Sequence, residues 1–129
     1  MSLLVALLSA CGPELSEPSQ LNITGNWASN DPIGPVHDVR LEITQALDGT
    51  VNGHWSAGNS SPDAPCPPSL GSTPAGALNG RHTIVQVQLS LVGVGDFSGQ
   101  AINEQVLRGS LETCGQIYPM IFTLQATGP

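Results

Sequence analysis

His37, His54 and His82 are the histidines available as bases or metal ligands, and no two stand at a close spacing. Zinc takes three or four ligands from His, Cys, Asp or Glu. His37 with Asp38 would join His54 only if neighbouring strands turned them to one another, and no His-x-His or Cys-x-x-Cys pair supports that. The three therefore read as surface or loop histidines, with no metal and no cofactor expected. Nucleophilic chemistry is equally thin. There is no Gly-x-Ser-x-Gly elbow, and acids such as Asp48 and Asp96 stand at turns, where carboxylates bond local backbone. No pair of carboxylates is singled out for acid–base work, so the chain is not expected to be an enzyme. Of the three cysteines, Cys66 lies in Pro65-Cys66-Pro67-Pro68 and Cys114 in Thr113-Cys114-Gly115. If Cys11 is set apart, these two form an even pair, and in an oxidising compartment a disulfide between them is expected.

Cys11 is set apart by what precedes it. A short apolar run from Leu3 to Leu8 leads into Ser9, Ala10 and Cys11, and Gly12-Pro13 follows at once. The run is too short to span a bilayer, which takes ~20 apolar residues, and suits the apolar region of an export signal. The sequence Leu8-Ser9-Ala10-Cys11 resembles the lipobox of bacterial lipoproteins. That resemblance implies cleavage before Cys11, lipid modification of that cysteine with palmitate-type acyl chains, and a mature protein held to the cell envelope by lipid. Gly12 in place of Asp resembles lipoproteins sorted to the outer membrane where the cell has one.

The charge balance narrows the partners. The chain carries ten acids against three arginines and no lysine, a net charge of −7. Arg40, Arg81 and Arg108 are scattered, so no basic stripe exists to release counterions from phosphate, and nucleic acid is not an expected partner. The expected membrane partner is reached through acyl chains, each buried CH₂ contributing ~0.8 kcal/mol.

The remaining chain is organised by strands. Residues 22–27 begin them, and 39–45 alternate strictly, with Val39, Leu41 and Ile43 on one face. Asp48-Gly49 marks a hairpin, and 50–56 runs back. The Gly-, Ser-, Asn- and Pro-rich stretch 57–74 reads as a long loop. Residues 76–82 form a weak strand, and 84–92 is expected to be the longest. Residues 96–102, 106–112 and 118–125 complete about eight, with Pro119 expected at the start of the last. No window shows a sustained helical period. The fold class is all-β: a small antiparallel up-and-down β-barrel of about eight strands, with a β-sandwich as the alternative.

An apolar–polar–glycine triplet recurs as Ile23-Thr24-Gly25, Val51-Asn52-Gly53, Leu78-Asn79-Gly80, Phe97-Ser98-Gly99 and Leu107-Arg108-Gly109. Each glycine shares a face with its apolar residue. Such glycines permit strand coiling in a small closed barrel, and they leave room for large neighbours: Trp27 and Trp55 each follow one by two residues. Residues 23–31 and 48–55 resemble the opening strands of the avidin and streptavidin family, where a Thr-Gly-x-Trp strand is followed by a Thr-Gly-x-Tyr strand; Phe97-Ser98-Gly99-Gln100 echoes later ones. The resemblance spans about a third of the mature chain and implies an eight-stranded meander. That family walls its ligand with several tryptophans from later strands, whereas Trp27 and Trp55 are the only two here. Asn30 is the one polar contact that carries over.

The expected organisation is a lipoprotein signal peptide (1–10), a flexible tether (11–20) and a β-barrel domain (21–129). The expected role is non-catalytic: binding of a small apolar ligand near Trp27, Asn30 and Trp55. The alternative is a structural or interaction lipoprotein whose barrel is filled by its own side chains.

Overall fold

A computed structural model of the protein describes residues 19, 21–63, 71–84 and 86–126. The signal segment with Cys11, nearly all of the tether, and the loop that carries Cys66 lie outside them. The strands are β1 (Gly25–Ser29), β2 (Val36–Gln45), β3 (Thr50–Asn59), β4 (Ala75–His82), β5 (Val87–Leu91), β6 (Gly95–Asn103), β7 (Val106–Thr113) and β8 (Gln116–Leu124). They run antiparallel in sequence order and close into one barrel, β8 returning to β1. The up-and-down barrel is thus the fold, and the sandwich is not.

Period-two alternation builds the interior. Leu41 and Ile43 of β2, Leu89 and Leu91 of β5, and Met120 and Phe122 of β8 are buried, while the residues between them face outward. Phe97 and Phe122 meet edge to face inside, ring centroids 5.4 Å apart. Asp38, at a positive φ of 53°, forms a bulge in β2. Two residues there oppose one, so Val36 and Val39 both point inward.

Three expectations shift. The first strand begins at Gly25, because Asn22 Oδ1 accepts the Thr24 N–H (2.8 Å) in a local turn that competes with strand pairing. The strand expected to be longest is among the shortest. His82 is paired with Val87, so the strands part between these two residues, where the Thr83 N–H donates to Gln86 O at 2.9 Å. Ile84 and Gln86 therefore lie outside β5 despite continuing its alternation. Pro119 stands inside β8, not at its start. The β1–β8 seam pairs only Trp27 with Leu124 and Ala28 with Thr123. Pro119 lies beyond that short seam, where the ladder needs no N–H from it. Two residues on, the Ile121 N–H donates to Asp31 Oδ2 at 2.8 Å, so a side chain bridges where backbone does not.

Candidate functional site

Trp27 and Trp55 come together on one wall of the barrel. Leu41 is paired with Trp27 on one side and with Trp55 on the other. Both indoles are buried, at 1% and 3% exposure. The Trp27 Nε1–H donates to Ile23 O (2.9 Å), at the end where the chain enters. The Trp55 Nε1–H donates to Val92 O (3.0 Å), in the β5–β6 turn at the opposite end. Each indole therefore closes toward a different end, with its one polar atom satisfied by backbone. Asn30 lies just past β1 and is exposed, so it does not join the tryptophans inside.

The glycines explain how so small a barrel closes around these rings. A Cβ on Gly53, Gly80, Gly99 or Gly109 would collide with backbone of the adjoining strand, at Glu42, Gln88, Arg108 and Ser98 respectively. Their task is close strand approach. Room for Trp55 comes instead from Gly76, directly across on β4, where a Cβ would sit 2.8 Å from the indole nitrogen. The Trp55 indole thus lies over a glycine far away in sequence, not over the one two residues before it. No signal in a single sequence pairs residues 55 and 76 before the register is known.

At the end opposite the chain entry, Ser29, Asn59 and Thr113 are buried polar residues. Ser29 Oγ–H donates to Asp31 Oδ2 (3.2 Å), and Thr113 Oγ1–H donates to Val94 O. Asn59 Oδ1 accepts the Ser61 N–H at 2.9 Å, while its Nδ2 is buried with no hydrogen-bond partner among the described residues. Asn59 is 6% exposed although it ends β3 beside the polar Ser60-Ser61. Cys114 occupies the β7–β8 turn at φ 54° and is not a free thiol. Cys66 lies outside the described residues.

His82 anchors the other end. It is buried, and its Nδ1–H donates to Gln45 Oε1 at 2.8 Å. The same oxygen accepts the Ile23 N–H (3.1 Å), and Gln45 Nε2–H donates to Ser19 O (3.3 Å). The Ser19 N–H in turn donates to His82 O at 3.1 Å. A polar latch thus pins the incoming chain to β2 and β4. Burial lowers the His82 pKa from its ordinary 6.5. His37 and His54 face outward; His37 is bonded to its neighbour Asp38 (2.9 Å). Among the described residues, no group of three His, Cys, Asp or Glu is placed to hold a metal ion.

Two of the grooves on the molecule lie on the outside of the wall. One is lined by outward residues of β4–β7 such as Arg81, Gln88, Asp96 and Glu112; another by Glu42, Thr44, Asn52 and His54 of β2 and β3. No family model matches the chain, and no curated protein or solved structure matches it either.

Proposed function

We propose that this protein is an exported lipoprotein, held by acyl chains on Cys11, whose packed barrel serves as a structural or interaction module of the cell envelope and not as an enzyme. The observation that carries the packed-barrel reading is the burial of Trp27 and Trp55 inside the wall, each with its indole N–H on a backbone carbonyl. A ligand wall needs an aromatic beside a gap, and here the space beside Trp55 is already matched to Gly76. The anchor rests on Leu8-Ser9-Ala10-Cys11. The pairing of Cys66 with Cys114 belongs to the same reading, since export places the chain where thiols oxidise.

Trp55→Ala tests the interior. If the indole fills the core, its loss should cost ~3–5 kcal/mol in a denaturation experiment, a large part of a small domain's total stability. A midpoint near that of the wild type would instead favour the rival reading, a cavity for a small apolar ligand lined by Trp27 and Trp55.

A further inference from the structure

We propose that the barrel rests on the bilayer with the end bearing the β2–β3, β4–β5 and β6–β7 turns against the lipid. This deepens the anchoring reading and rests on it. Three large apolar side chains are exposed at this end: Leu47 in the β2–β3 turn at 99%, Ile84 in the β4–β5 turn at 45%, and Ile102 at the close of β6 at 48%. The opposite end exposes two, Val92 at 50% and Ile117 at 68%, so apolar exposure favours this end by a small margin and the tether decides between them.

The chain itself says what covers that face. Ser19 is hydrogen-bonded to His82 at this same end, and Ile84 lines a groove with Ser19 and Leu21. Cys11 stands eight residues before Ser19, so an acylated Cys11 lies within roughly 28 Å of the latch even when the chain is fully extended. The acyl chains therefore bring lipid to this end before any other. The acids do not choose an end: Asp31, Asp38, Asp63, Asp96 and Glu112 lie at or toward the opposite one, while Asp48 and Glu104 stand in these turns, Glu42 lies toward them in β2, and Glu14 and Glu17 stand between Cys11 and Ser19. The tether and the apolar side chains carry the contact.

The experiment uses the full acylated chain in phosphatidylcholine vesicles with and without brominated acyl chains. Leu47→Trp places an indole at the proposed contact, and Val92→Trp places one at the opposite end, where Val92 is likewise exposed. Trp27 and Trp55 are buried and supply a constant background in both variants. Bromolipid should cause a clear loss of the added emission in Leu47→Trp and none in Val92→Trp. Equal quenching at both positions, none at either, or quenching only at Val92→Trp would overturn the orientation and leave the anchor standing. A blue shift of Leu47→Trp without quenching would also overturn it, pointing to a protein in place of lipid. Mass spectrometry of Cys11 reads the anchor separately: an unmodified cysteine defeats the anchoring reading, and the docking face falls with it.

Discussion

Gly53 has no freedom to be anything larger, because a Cβ there would run into the Glu42 carbonyl of the adjoining strand. Gly99 and Gly109 are paired directly across β6 and β7, and each would meet the other strand's backbone in the same way. Backbone cannot swing aside as a side chain can, so an added methyl must push strands apart and open the pairing around it. Gly58 makes the contrast. The nearest atoms its Cβ would meet are those of the His37 ring, an exposed side chain that can shift at the cost of its contact with Asp38. Gly53→Ala and Gly99→Ala should therefore each cost ~1–3 kcal/mol or more, in the range of overpacked cores. Gly58→Ala should change the urea midpoint little. Equal costs at all three positions would mean that glycine's chain entropy, and not strand approach, sets their value.

At the scale of elements, the barrel depends on two weak joins: the short β1–β8 seam and the latch around His82. Because burial disfavours the charged imidazole, the folded protein takes up a proton less readily than the unfolded chain. The latch contribution is then present above the ordinary pKa of 6.5 and is lost as pH falls below it toward the lowered folded value. Unfolding midpoints should drop as the solution is acidified through that window, and His82→Gln should flatten the dependence. Asp31→Ala should loosen the other join, seen as faster exchange of the Ile121 amide, which donates to Asp31. Both joins show where sequence reading stops. Alternation at Val39, Leu41 and Ile43 is legible because each residue's face follows from its parity. Nothing local marks His82 as the partner of Gln45, 37 residues away. The boundary of β5 was hidden for the same reason: Ile84 continues the alternation, and only pairing with β4 leaves it outside the strand.

For the whole molecule, stability is the difference between a small core and the entropy of the chain it must order. The barrel encloses Trp27, Trp55, Phe97 and Phe122 with a lining of aliphatic residues, and the described chain contains no helix to add a second layer. A domain of this size benefits from a covalent staple. Cys114 sits at the β7–β8 turn, at the same end at which β3 finishes with Asn59 and β4 begins with Ala75. Cys66 belongs to the connection between those strands, so a bond between the two cysteines would tie the two halves of the barrel across one mouth. The closed loop of about 49 residues corresponds to ~4 kcal/mol by chain-entropy arithmetic. Exported protein, digested without reduction, should yield one linked peptide pair containing Cys66 and Cys114. Reduction should lower the unfolding midpoint, and the double variant Cys66→Ser, Cys114→Ser should match the reduced wild type. The dependence on reductant separates this bond from any packing role of the two side chains. A linked pair containing Cys11 instead would remove both the staple and the acyl anchor at once, since a sulfur in a disulfide carries no lipid.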